Sequence, residues 1–247
     1  MLQDADIFTR YRQSFCSCDG IAAALCGPAS PVGRDFDAAA SIGVEHNYTM
    51  GIFDLFRRSP PIRDAAALAD FIDQNAAFVA QKGIYEYSRA RAGHYAKVLF
   101  SESEFRDACD RARWRAYPLG LAMVAELVEG VLCPARSAGR LAQTDAIRAL
   151  VLSVFDRQPV HEVLGTPTTI DLRAELERRL MLIGLHAPKM AKDVAEPFAE
   201  EYFNLMPIHE KLRGRDAPTI RNYLRVTMCN IHDELTKRID LAAFTLT

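Results

Sequence analysis

The 247-residue sequence predicts an all-α fold, a compact multi-helix bundle with an irregular N-terminal extension. Three observations carry this prediction. Apolar residues recur at helical spacing through most of the chain after residue 59. Capping residues, glycines and prolines separate those runs. No stretch alternates apolar and polar residues in the way a half-buried hairpin strand requires.

In "SPPIRDAAALADFIDQNAAFVAQKG", Asp64 is placed to cap a helix whose Leu68, Phe71, Ile72, Phe78 and Val79 fall at helical spacing. Gly83 is expected to end or weaken it, although "IYEYSRARAGHYAKVLF" resumes the same period. Ser101 to Glu104 has the form of a capping box, so a new helix should begin there, and Pro118 should kink or break it before the apolar run to about Cys133. Pro134 to Gly139 reads as loop, with Thr144 capping the next helix. "LGTPTT" reads as a second loop. Beyond it Leu172, Leu176, Leu180 and Ile183 form one face, and Gly184 is placed to stop the helix. Asp193 to Glu196 repeats the capping-box form, and Pro207 interrupts "AEEYFNLMPIHEKLRG". Ile220, Leu224, Met228, Ile231 and Leu235 stripe the last helix. No internal repeat of fixed period is present, which argues against a solenoid.

The first 49 residues are different in texture. They lack sustained periodicity and contain "CGPASPVGRD", so they read as an irregular or disordered extension, with residues 50–247 as a single all-helical domain. "MGIFDLFRRSPP" at the junction resembles a chain start, and Met50 is a second candidate for one. In it Ile52, Phe53, Leu55 and Phe56 precede Arg57 and Arg58, a pattern suited either to weak contact with the inner face of a membrane or to docking on the bundle.

Composition narrows the function classes. Thirty Lys and Arg against 32 Asp and Glu leave a net charge of −2, without the basic excess of a nucleic-acid binder, so no specific nucleic acid is expected. "RRSPPIR", "RARWRAY" and "KLRGRDAPTIRNYLR" are local basic–aromatic clusters that fit solvated helix faces within that neutral total. The longest apolar run, Leu119 to Cys133, contains Glu126 and Glu129 and is shorter than a membrane span. Cys16, Cys18 and Cys26 cluster early without an evident fourth ligand, while Cys109, Cys133 and Cys229 stand alone, a usage that fits a reducing cytoplasm. No cofactor or metal site is expected.

Phosphate-loop, zinc-protease and nucleophile-elbow motifs are missing from the sequence. The strongest positive feature is "YEYSRARAGHY". At 100° per residue, Ile84, Tyr87, Ser88, Arg91, Tyr95 and Val98 share one face, and an arginine between tyrosines on an apolar face must find acceptors. Two readings stay open: a pocket for a small anionic or planar ligand formed by Tyr87, Arg91, Tyr95 and Glu126, or an internal salt bridge from Arg91 to Glu126 or Glu129. Glu126 and Glu129 lie three apart on one helix side, where they mark a solvent edge, enter a salt bridge or, with groups from another helix, bind metal. His209, Glu210, His232 and Asp233 partly match a His…His-Asp phosphohydrolase pattern, but only Asp240 remains to supply its distant aspartate.

Three segments, "FIDQNAAFVAQKGIYEYSRARAGHYAKVLF", "RWRAYPLGLAMVAE" and "MPIHEKLRGRDAPTIRNYLR", resemble a group of alphaproteobacterial all-helical proteins of undefined activity. The resemblance runs from near Met50 almost to the C-terminus. Some members carry an esterase label, and here the serine elbow that label implies is not found. The expectation is a cytoplasmic helical binding or interaction protein for an unknown protein or a small anionic ligand. The competing expectation is a small hydrolase using the pocket around Arg91, Tyr87, Tyr95 and Glu126.

Overall fold

The computed structural model describes residues 60–132, 139–209, 213 and 216–244. The N-terminal extension, the Ile52–Phe56 segment, Cys16, Cys18, Cys26, Cys133 and Glu210 lie outside the described residues. Among those described, the chain is predominantly helical, and an isolated parallel bridge joins Ile62 and Ile239. The all-α expectation is met.

Five long helices make the bundle: α1 (Ala65–Ala92), α3 (Ser103–Leu132), α4 (Arg140–Asp156), α5 (Gly165–Leu182) and α8 (Ala217–Arg238). Short helices α2 (Ala96–Leu99), α6 (Ala191–Val194) and α7 (Ala199–Asn204) connect them. Asp64 caps α1 as expected, its Oδ1 accepting the Ala67 N–H at 2.8 Å. Gly83 does not stop the helix. The stop is Gly93, whose φ of 55° suits a residue without a Cβ. That stop turns Tyr95 and Val98 off the α1 face, and they are exposed at 69% and 58%.

Several local signals resolve differently in the fold. The Ser101 hydroxyl donates to the Val98 carbonyl behind it, although α3 does begin at Ser103 as the box predicts. Pro118 sits inside α3 without ending it. Thr144 lies within α4, which starts at Arg140, and its hydroxyl donates back to the Arg140 carbonyl. "GTPTT" is the first turn of α5, so the connection before it is residues 157–164. Asp193 belongs to α6 and makes no side-chain cap for the 3-10 turn Glu196–Phe198 beyond it. Gly184, at φ 87°, comes just after the end of α5 as predicted, and the five stripe residues of α8 are all buried.

Packing follows from the apolar arcs. α3 is buried nearly all round from Ala116 to Glu129, the pattern of a helix at the centre of a bundle. It runs antiparallel to α1: Ser88 faces Cys109, Gly120 abuts Ala76, and the Tyr117 hydroxyl meets Asp73. α4 returns along α3, with Arg140 on Glu129 and Phe155 stacked beside Tyr117. α5 reverses again, from His161 over Trp114 to an end held by Arg148, which donates to the carbonyls of Leu180, Met181 and Ile183. Such an arginine satisfies the acceptors that a helix C-terminus leaves open. α8 closes the bundle antiparallel to α1, with Asp216 at Tyr87 and Arg238 over the Phe71 ring.

Cys109 lies in the α1–α3 seam, and burial foremost, then the Asp110 charge, pushes its thiol up to about 11 against the opposing Ser88 hydrogen bond and Arg113 charge. Only thiolate alkylates readily. Iodoacetamide at about pH 8 should therefore leave Cys109 unmodified in the folded protein and modify it fully in denaturant, as read by peptide mass spectrometry. Native labelling as fast as that of Cys229, which is only partly buried, would contradict this assignment.

Candidate functional site

The α1–α8 corner is built from residues one helical turn apart. Tyr87 and Arg91 occupy i and i+4 positions of α1 and therefore project from the same side. Opposite them stands Asp216, the residue before α8. Its sequence context, Asp-Ala-Pro, looks like a helix cap, but its side chain caps nothing in α8. The carboxylate reaches across instead: the Tyr87 hydroxyl donates to Oδ2 at 2.9 Å, and the Arg91 Nε lies 3.1 Å from the same oxygen. The positive end of α8 favours negative charge at that position.

Two further residues complete the corner. The Phe203 ring meets Tyr87 edge-on at 6.3 Å, and the Arg213 guanidinium lies over that ring at 5.5 Å. The Tyr87 phenol is pushed far up, by burial first, then by its hydrogen bond to Asp216 and the charge there, with Arg91 and Arg213 opposing. At neutral pH this phenol is a fixed hydrogen-bond donor and not a base. Among the described residues, therefore, two guanidinium groups and one carboxylate act on Tyr87. Arg91 is 38% exposed on its side chain, so solutes can reach it, and the Nε contact engages one of its five donors. The chemistry offered is recognition of an anion by a planar cation beside a neutral donor.

The other two residues expected here lie elsewhere. Tyr95 projects into solvent beyond the Gly93 stop. Glu126 is more than four turns along α3 from Cys109, the residue that faces Ser88, which places it on the order of 25 Å from the Arg91 end at 1.5 Å per residue. Arg91 takes Asp216 as its partner, not Glu126 or Glu129.

Glu126 and Glu129 are not a solvent edge either. Their side chains are 5% and 1% exposed, and both are ion-paired. Glu126 Oε1 lies 2.8 Å from Lys189 Nζ and 3.2 Å from His186 Nε2. Glu129 Oε1 lies 2.7 Å from Arg140 Nε, and the same guanidinium donates through Nη2 to the His186 carbonyl at 2.6 Å. The two carboxylates thus tie the end of α3 to the start of α4 and to residues 186–189. Among the described residues, no group of three or more His, Cys, Asp or Glu side chains is arranged to hold a metal ion, and His232 contacts its neighbour Asp233 at 3.6 Å.

No family model matches the chain, and no curated protein or solved structure shows significant similarity to it. No helix of the described residues is long and apolar enough to cross a membrane. Sequence reading missed Asp216 and Arg213. Both stand in a short charged run, "LRGRDAP", whose residues look like surface charges until the fold brings α8 against Tyr87.

Proposed function

We propose that this chain is a cytoplasmic bacterial binding protein that takes a small anion at the α1–α8 corner, with Arg91 as the principal contact. The supporting observation is the set of described charges that act on Tyr87: the guanidinium groups of Arg91, which pairs with Asp216, and of Arg213, against the Asp216 carboxylate, next to a phenol held in its donor form. A carboxylate or phosphate oxygen arriving there would meet a guanidinium fork that is already positioned, so little side-chain ordering remains to oppose binding. The cytoplasmic setting is supported by cysteine usage and the bacterial one by the resemblance of the three segments.

Inorganic phosphate is the first probe. At a hundredfold excess over its Kd it should stabilise the protein by about 2.7 kcal/mol, several degrees in Tm. Sodium chloride of equal ionic strength should not. Arg91→Gln should weaken phosphate binding at least about tenfold, while Arg89→Gln, an exposed arginine two residues away, should leave it unchanged. Equal stabilisation of both variants by phosphate, or equal stabilisation by chloride, would overturn the proposal.

A further inference from the structure

An exposed apolar face lies at the other end of α3 from the Tyr87–Arg91 corner, where α4 begins and α5 ends. Leu141 stands in the first turn of α4, Met181 in the last turn of α5, and Leu185 just beyond it. They are exposed at 69%, 51% and 71%. The contacts around them hold this end together. Arg148 of α4 donates to the Met181 and Ile183 carbonyls. Gly184, at a left-handed φ of 87°, abuts Thr144 so closely that an added Cβ would meet its side chain at 3.0 Å. Arg140 fixes the His186 carbonyl at 2.6 Å. Leu185 is thereby held between two anchored neighbours, beside the turn of α4 that carries Leu141. Single apolar side chains at a surface need no explanation, whereas three gathered on a fixed framework mark a place of contact.

The charges beside these side chains indicate the partner. Asp145 follows Leu141 by one turn, and Arg178 precedes Met181 by three residues, so each charge shares a helix side with an apolar residue. Both charged side chains are largely exposed, and their present partners, Arg148 for Asp145 and Glu175 for Arg178, are near neighbours on their own helices. Exposed pairs of that kind contribute little and give way to a partner across an interface. One sign on each helix does not suit an anionic bilayer or a uniformly charged polymer. It suits a second copy. A twofold axis running along the two helices sets α4 of one chain against α5 of the other, with Leu141 on Met181 and Asp145 on Arg178, and repeats both contacts. We propose that this α4–α5 face is the surface through which two copies of the chain associate, with Leu141, Met181 and Leu185 at its centre and the Asp145–Arg178 pair, made twice, at its rim. Three apolar side chains from each copy place it among the small, reversible interfaces.

Sedimentation velocity of the full chain tests this. The mean mass should rise from that of one chain at about 1 μM toward that of two at about 100 μM and go no higher, since a twofold contact closes on itself. Leu141→Asp, whose new carboxylate suits the start of a helix and so leaves the fold intact, should weaken association at least about tenfold. Asp145→Arg and Arg178→Asp should each weaken it by about tenfold, because each reversal sets like charges together at two places. The two reversals combined should restore it to within about threefold of the original chain. That rescue carries the test alone should Leu141→Asp fail to melt cooperatively. Arg91→Gln should change nothing, which keeps this face separate from the anion corner. The proposal is overturned by a mass of one chain throughout, by growth beyond two chains, by single reversals without effect, or by a double reversal no better than the single ones. A dimer that Phe53→Ser with Phe56→Ser abolishes, and that Leu141→Asp leaves whole, would overturn it as well.

Discussion

Gly120→Val should destabilise the protein by about 3 kcal/mol, equivalent to roughly 6–12 °C in Tm for a chain of this size. A Cβ at Gly120 would fall 2.8 Å from the Ala76 carbonyl oxygen and 3.1 Å from the Ala76 Cα. Both are backbone atoms of α1, so no side-chain rotation can relieve the contact, and the two central helices must separate. Replacing glycine in a helix interior also brings a propensity gain of less than about 1 kcal/mol for valine, too small to offset the clash. Gly130 in the same helix is the control. Its added Cβ would meet only Pro188 Cβ at 3.6 Å, an ordinary contact, so Gly130→Ala should be neutral or stabilising by up to about 1 kcal/mol. Denaturant melts of the two variants decide the matter, and equal midpoints would show that α1 and α3 do not approach as described.

Arg140→Met should cost more, about 3–5 kcal/mol, because it strands Glu129, whose side chain is 1% exposed, without its cation. It also removes the donor to the His186 carbonyl, so the 186–189 segment loosens from α4 as well. The double variant Glu129→Met with Arg140→Met should recover much of the loss, since the destabilisation lies in the unpaired charge rather than in the missing attraction. A double variant no more stable than Arg140→Met alone would refute that account. Arg173→Met provides the surface comparison. Arg173 pairs with Asp156 at 2.7 Å and holds that carboxyl below its usual range, yet both side chains are at least 40% exposed. Solvent screening limits the pair to under about 1 kcal/mol. The Asp156 pKa is depressed in the fold, so that small contribution is present above the ordinary aspartate pKa and disappears as pH falls through the folded value.

Much of the architecture can be read from spacing, and the failures share a cause. Leu176, Leu180 and the α8 stripe are recognisable because burial of one helix face imposes its period on the chain. Asp64 is recognisable because its cap bond is made within three residues. Ser101, Thr144 and Asp193 fail as caps since a short polar side chain has several local partners, and the surrounding packing selects among them. Pro118 fails as a break because α3 is buried nearly all round from Ala116 to Glu129 and the packing of its neighbours outweighs one lost hydrogen bond.

At the candidate site the division is sharper. Tyr87 and Arg91 could be paired from the sequence, being one turn apart on a helix. Tyr95 could not be excluded, because a period drawn through "RAGHY" does not register that Gly93 leaves the helix with a positive φ. Asp216, 129 positions from Tyr87 along the chain, carries no local mark of the contact it makes.

By itself, then, the sequence determined that this chain is helical, where most of its helices lie, which faces they bury and which arginine stands beside a buried tyrosine. These follow from interactions within a few residues and from the partition of apolar side chains. The tertiary structure alone decided which carboxylate Arg91 meets, that Glu126 and Glu129 serve as a buried clasp rather than a rim, and that His161 covers Trp114. Each is a contact between helices, and its partners are set by how the helices stack, information that no single helical period contains.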